Sequence, residues 1–447
     1  MHISLSEHFN YRKLLRFTFP SIIMMIFTSV YGVVDGLFVS NFVGKTPFAA
    51  INLIWPFLMI LGGSGFMIGA GGSALVSKTM GEGDSERANR YLSRLVLFTV
   101  GLGIAITIPG MFLIRPVAIL LGADEAMLPY CITYGRILLI AQTAFMLQGV
   151  FQSFLVTAER PTLGLFVTVG AGVTNMVLDC LFIAVLDWGL VGAALATVTS
   201  QIVGGVVPLL YFLLPNKSPL RIVRPRLGLI QSLCTVGKVA VNGSSELMTN
   251  ISMSVVNMLY NYRLMMLAGE DGIAAYGVIM YVSFVFIAIF IGFAIGSAPI
   301  VGFHYGAGNH GELKSLLRKS LILTAITGVT MTGLAVLLAP PLSGIFVGYD
   351  EGLYELTRRG FTLYAVSFLF AGFGIFGSSF FTALGNGVVS ATISFLRTLV
   401  FQVAAVLILP LLWDIDGIWL AISAAELLAL GVTAAFLVGM RKKYKYM

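Results

Sequence analysis

Charge is scarce in this sequence, and so are the residues most catalytic chemistry depends on. Only 11% of its 447 residues are Asp, Glu, Lys or Arg, and it has four histidines and three cysteines. Cys131, Cys180 and Cys234 lie far apart, without metal-ligand spacing. There is no HExxH, no GxSxG, no aspartate-rich pair of the prenyltransferase kind and no histidine cluster that could hold a metal, which argues against a membrane-embedded enzyme. No basic stripe interleaves with exposed aromatics, so nucleic acid is not an expected partner. No small-residue cleavage site follows a short apolar core at the N-terminus, so the first apolar segment is expected to remain as an uncleaved anchor.

Apolar residues fill the space that charge leaves. They make up 58% of the chain, with a mean hydropathy of +0.95, a balance that belongs to polytopic membrane proteins and not to soluble domains. A hydrocarbon core of ~30 Å takes about 20 residues of helix to cross. Twelve such stretches recur, at 14–41, 47–77, 91–114, 127–156, 162–186, 189–214, 237–267, 273–303, 313–338, 353–383, 388–412 and 416–439. Lys and Arg in short loops stay cytoplasmic. With both termini inside, twenty of the 27 basic residues fall on cytoplasmic segments, among them Arg12, Arg87, Arg160, Arg224, Arg226, Lys314 and Lys443. Only Lys45, Arg115, Arg263, Arg358 and Arg359 face the other way, and Arg136 and Arg397 lie in or near spans. The net charge of +7 is therefore a record of topology.

The chain repeats itself at an offset of 225 residues. Gly81 and Gly83 align with Gly306 and Gly308, Gly44 with Gly269, Pro116 with Pro341, Gly149 with Gly374, Trp188 with Trp413 and Gly192 with Gly417. Six helices per half is an even number, so the halves share one orientation and the repeat is parallel. The expected architecture is all-α, with twelve transmembrane helices in two six-helix lobes. The lobes comprise 1–214 and 237–447 and are joined by a basic cytoplasmic linker, 215–236. Such a pair of bundles is the build of rocker-type secondary transporters.

Three long stretches carry a resemblance that extends over essentially the whole chain. Ala50–Arg90, which ends in GEGDSERANR, is similar to the second helix and following loop of the multidrug and toxic compound extrusion family. TNMVLDCLFIAVLDWGLVGAALATVTSQ, Thr174–Gln201, resembles its fifth and sixth helices, and Gly272–Ser320, with GAGNHGELKS, its eighth helix and the loop after it. The resemblance implies efflux of organic, often cationic, compounds driven by Na⁺ or H⁺ entry, with no other cofactor. It also implies a cation site formed by Asp35 in the first span, Asn175 and Asp179 in the fifth and Thr197 in the sixth. The residues themselves point the same way. Asp35 sits within TSVYGVVDGLFVSNF, where a central carboxylate costs roughly 2.5–3.5 kcal/mol and needs a partner, water or a task. Asn175 and Asp179 are four apart and share a helix face. Two carboxylates brought together call for a proton or a cation, and carboxylate, amide and hydroxyl oxygens suit a small hard ion or a proton relay equally. Hydrated structural carboxylates, and helix-packing roles for Asn175 and Thr197, are the alternatives.

The second half does not copy this cluster: at the offset, Asp35, Asn175 and Asp179 align with Tyr260, Val400 and Ala404. Its intramembrane charges are Glu246, Glu426 and Arg397. Members of the family commonly carry an acid where Asn250 stands here, and Glu246 lies one turn earlier. Glu246, Asn250, Arg397 and Glu426 are therefore the candidate substrate contacts, with pairing of Arg397 to Glu426 or Glu246 as the plain alternative. Gly32 with Gly36, Gly65 with Gly69, and Gly292 with Gly296 read as close-packing positions. Asp84 and Asn309 read as helix N-caps, and His304 and His310 as residues flanking a solvated loop. The expected protein is a monomeric antiporter of a bacterial plasma membrane. A lipid-linked oligosaccharide or lipid flippase is the main alternative, weakened by the shortage of intramembrane Arg and Lys to meet phosphates. A channel fits a lobed repeat less well than alternating access does.

Overall fold

The computed structural model describes residues 3–224 and 229–447. Arg226 and the rest of 225–228, within the expected linker, lie outside the described residues. Helices account for nearly all of it, and among the described residues there is no strand. Helix α1 (Tyr11–Phe38) runs on into a π-helical turn, Val39–Val43, and is followed by α2 (Lys45–Gly81), α3 (Ser85–Leu120), α4 (Leu128–Ile140) and α5 (Gln142–Thr157). Then come α6 (Pro161–Asp179) with a π-helical continuation, Cys180–Val185, and α7 (Gly189–Leu213). The second half contains α8 (Leu229–Gly306), α9 (His310–Val347), α10 (Glu351–Ala365), α11 (Phe368–Ala383), α12 (Gly387–Phe395), a π-helical turn at Leu396–Val400, α13 (Phe401–Ile408), α14 (Pro410–Gly439) and the short α15 (Arg441–Tyr444).

Among the described residues, nine helices are long and apolar enough to span a membrane. Two more spans arise if the bent pairs α4–α5 (58°) and α10–α11 (48°) each count as one. The count of twelve is reached when α8 is divided at Gly269, where φ is 60° and ψ −145° and the helix breaks. The turns show the repeat in the backbone itself. Positive φ falls at Gly44 and Gly269, at Gly83 and Gly308, and at Gly189 and Asp414, each pair 225 residues apart. Asp84 and Asn309 both act as N-caps, accepting hydrogen bonds from the backbone N–H of Arg87 at 2.9 Å and of Glu312 at 3.1 Å.

The two halves pack unevenly along their length. One hydrophobic core, at the end that carries the basic loops, draws on both halves and includes Leu5, Phe17, Val76, Leu92, Phe151, Ile300, Leu316, Phe380 and Tyr446. Toward the opposite end each half has its own core: Ile54, Leu58, Tyr134 and Leu190 in the first, and Tyr260, Ile279, Phe361 and Trp419 in the second. Glycines permit the close approach at the shared end. A Cβ on Gly71 would collide with the Val239 carbonyl, one on Gly243 with that of Met67, and one on Gly306 with that of Lys78. Gly292 and Gly296 lie against Ile22 and Thr18 of α1, and Gly65 and Gly69 against Met146 and Gly149 of α5. Gly32 and Gly36 meet no backbone at all, so the close packing expected of that pair is absent.

Polar ties reinforce the shared end. Leu5 N–H donates to Glu159 of the first half at 2.7 Å and Phe9 N–H to Glu312 of the second at 2.9 Å, while Lys319 donates to the Phe9 carbonyl. His304 is buried with its ring edge-on to Phe9, not loop-exposed as its position in sequence suggests. Beyond α7 the chain is fastened to α3, with Arg221 N–H donating to Asn89 and Val223 N–H to Ser93, each at 2.8 Å.

Candidate functional site

Asp35 lies near the end of α1, one turn before the π-helical stretch that closes it. Its carboxylate approaches Asp179 and Asn175 of α6. Asp179 is the last residue of α6, and the π-helical turn begins directly after it; such widened turns recur at functional sites. Asp179 is fully buried and Asn175 is 2% exposed. Thr197 comes from α7, which packs on α6. Tyr134 of α4, 2% exposed, brings its hydroxyl beside Thr197 and into the field of both carboxylates. Tyr31, one turn before Asp35, is also in that field. The structure thus brings Asp35, Asn175 and Asp179 together and sets Thr197 near them by way of the Tyr134 hydroxyl. It adds Tyr134, which nothing in its sequence spacing marks, and Tyr31, whose spacing of four residues puts it on the Asp35 face of α1.

Unpaired oxygen defines this cluster. Oδ1 of Asp35, Oδ1 of Asn175, both carboxylate oxygens of Asp179 and Oγ1 of Thr197 are buried without a hydrogen-bond partner in the structure. Buried polar atoms are nearly always satisfied, and each exception needs a reason. Five such oxygens from three helices form a hard-ligand set that a proton or a small hard cation would satisfy. Among the described residues no three His, Cys, Asp or Glu side chains converge, so the set is an oxygen site with two carboxylates.

The second half is arranged differently. Tyr260, the counterpart of Asp35, is buried and stacks on Tyr276 with ring centroids 4.9 Å apart. The Tyr276 hydroxyl donates to Asn257 at 2.9 Å. Arg397, in the π-helical turn, and Glu426, on α14, are 8% and 2% exposed. Arg397 Nε donates to both Glu426 carboxylate oxygens, at 3.0 and 2.9 Å. Gly374 of α11 leaves room for the pair: a Cβ there would press on the Arg397 side chain at 2.7 Å. The alternative of pairing thus holds for Glu426 and not for Glu246, which is exposed while remaining within electrostatic reach of Arg397. Asn250 lies a turn further along α8 and donates to the Glu246 carbonyl at 3.0 Å, so its side chain answers its own helix.

A polytopic helical protein of two repeated halves, joined at one end and carrying in one of them a cluster of unpaired buried oxygens around two carboxylates, has the build of a secondary transporter. A family model, MatE, matches residues 20–181 and 247–408; the chain belongs to the MatE family. The matched segments are the two copies of the repeat. The chain is 22% identical over 420 residues to the multidrug export protein MepA of Staphylococcus saprophyticus, covering 92% of this chain and 88% of that one. To the protein of the same name from Staphylococcus aureus it is 21% identical over 424 residues, covering 94% and 92%. Among solved structures, an outward-facing MATE family transporter of the MOP superfamily superposes with a TM-score of 0.92 at 23% identity, and a MATE protein in complex with MaL6 with 0.92 at 22%. Each pair covers 98% of both chains. The family consists of transporters, and the chain is a membrane transporter and not an enzyme.

Proposed function

We propose that the chain is a secondary active multidrug exporter, which moves organic cations out of a bacterial cell in exchange for Na⁺ or H⁺ by alternating access. The observation that carries this reading is the set of five buried, unpaired oxygens on Asp35, Asn175, Asp179 and Thr197. These residues hold the coupling cation, which is a substrate of the cycle and no resident cofactor. The multidrug export named for the MepA relatives supports drug export, and the exposed carboxylate of Glu246 in the second half supports a cationic class. Glu246 and its neighbour Asn250 face the organic substrate in the second half.

Residues 1–214 and 237–447 act as the two lobes, joined by 215–236, in a monomer. The basic end lies in the cytoplasm together with both termini, as the distribution of Lys and Arg favours. A core shared at that end and separate cores at the other support a resting state open to the outside. The flippase reading is less well supported, because the intramembrane guanidinium of Arg397 is already bound to Glu426.

The deciding experiment is ethidium efflux from everted vesicles with Na⁺ and pH gradients imposed one at a time. Efflux under one gradient and not the other is the expected result, and efflux under neither would overturn the reading. Orientation is tested separately with single cysteines at Arg224 and Asp350. Labelling of both from the same face would reverse or break the topology.

A further inference from the structure

Three intramembrane charges meet in the second half, and the structure separates them by role. Arg397 and Glu426 are buried against each other and neutralise one another. Glu246 is exposed, although the helix that carries it is hemmed in on either side. Gly243 and Leu247, within a turn of it, pack against Met67 and Gly63 of α2, and Asn242 donates to the Thr382 carbonyl at 2.9 Å at the end of α11. Glu246 falls on the edge between those two packed strips, so its exposure is to the space between the halves. The cluster therefore presents one uncompensated negative charge, whose size is set by a residue that does not itself face that space.

Resting on the export function proposed above, we infer that Arg397 determines the charge class of the substrate: by cancelling Glu426 it leaves Glu246 alone and makes the site selective for organic monocations over dications. The carboxylates of the first half do not enter this count, because they belong to the coupling ion. Arg397 touches Glu426 and not the substrate, so it is a positioning residue that acts through charge. Removing its charge leaves two carboxylates and, at a pH high enough to ionise the now uncompensated Glu426, a net charge of −2, which favours a dication, so the variant is compared with wild type at alkaline pH. Removing the charge of Glu426 leaves Glu246 against Arg397 and a net charge of zero, which favours neither. Removing both restores −1.

Ethidium and propidium share a chromophore and differ by one positive charge, which makes them suitable probes. Export of each from everted vesicles is measured for the wild-type chain, Arg397→Gln, Glu426→Gln and the double variant. One charge acting within a partly screened protein environment shifts relative preference by about tenfold. The propidium-to-ethidium ratio should rise about that much in Arg397→Gln, both rates should fall in Glu426→Gln, and the double variant should return to the wild-type ratio. Because the ratio is internal to each preparation, a smaller folded fraction does not alter it. If the single variants accumulate too poorly to transport, Glu246→Gln supplies the second arm. Removal of the one uncompensated charge should depress ethidium export by about tenfold and propidium export further, so that the propidium-to-ethidium ratio falls by about tenfold, and should spare an uncharged substrate. An unchanged ratio in Arg397→Gln, a double variant no closer to wild type than its parents, or an indifferent Glu246→Gln overturns the inference. Absence of wild-type efflux under any gradient would instead overturn the export function itself.

Discussion

In the first half of the chain two carboxylates, an amide and a hydroxyl converge with their acceptor oxygens unpaired. In the second half, the carboxylate of Glu426 is met by Arg397, which donates to both of its oxygens. The backbones of the two halves repeat down to the positive-φ turns, so the difference lies in side chains placed on a common frame. A buried carboxylate must be compensated. A tethered guanidinium does this permanently, whereas a set of bare oxygens leaves compensation to something that can come and go. On this view one half can be cyclically charged and discharged while the other is electrostatically fixed.

The largest effect should come from removing that exchangeable charge. Asp35→Asn and Asp179→Asn preserve size and much of the hydrogen-bonding capacity, but neither can bind and release a proton, and each weakens an ion site. Each should lower gradient-driven efflux by about a hundredfold or more while accumulating normally and still binding drug, and the double variant should be no worse, since groups acting as a unit are not additive. Tyr260→Phe, at the counterpart of Asp35, should transport like wild type, because its hydroxyl has no hydrogen-bond partner to lose. Near-normal efflux by Asp35→Asn under either gradient would reduce that residue to a structural carboxylate, and loss of coupling in Tyr260→Phe would end the contrast between the halves.

A fixed ion pair predicts a different signature, in stability. Breaking a buried pair by removing one partner typically costs ~3–5 kcal/mol, whereas replacing both with apolar groups of similar volume is close to neutral. Arg397→Met should therefore unfold at a markedly lower temperature in detergent, and Arg397→Met with Glu426→Leu should recover most of the loss. The paired change Asp35→Leu with Asp179→Leu should be no less stable than wild type, because it removes buried polar atoms that have no partners. If the Arg397→Met single variant is as stable as the double, the pair is not a closed unit.

Much of this was legible in the sequence for physical reasons. Apolar runs give away spans because the bilayer punishes every exposed polar group, and the glycines at 44, 83, 269 and 308 aligned because the same turns need positive φ in both halves. Asp35, Asn175 and Asp179 stood out because a carboxylate or amide in an apolar helix is expensive. Tyr134 did not stand out: an isolated tyrosine in a span carries no cost signal, and only the packing of α4 on α7 brings it to Thr197. Nor does spacing choose between Glu246 and Glu426 as the partner of Arg397, since that depends on how α14 packs on the π-helical turn at Leu396–Val400. The burial of His304 was hidden for a similar reason, as its cover is Phe9, nearly three hundred residues away in sequence.

The smallest predicted effect tests whether the shared frame is strained equally in both halves. The turn after the fifth span of the first half has Gly189 at φ 53°, and the matching turn of the second half has Asp414 at φ 47° with ψ −128°. Glycine enters this region without steric cost, whereas a residue with a Cβ is strained there by ~1–3 kcal/mol. Asp414→Gly should therefore relieve strain. Part of that gain is offset by the greater freedom of glycine in the unfolded chain, ~0.4–1 kcal/mol, which leaves a small net stabilisation. Gly189→Ala should shift stability the other way, by ~1 kcal/mol or more, with transport unaffected in both variants because neither residue belongs to the charged clusters. Thermal unfolding of the two variants in one detergent checks the sign. A destabilised Asp414→Gly would mean that the aspartate side chain contributes more to this turn than its backbone strain costs, and that the two halves hold the same bend by different means.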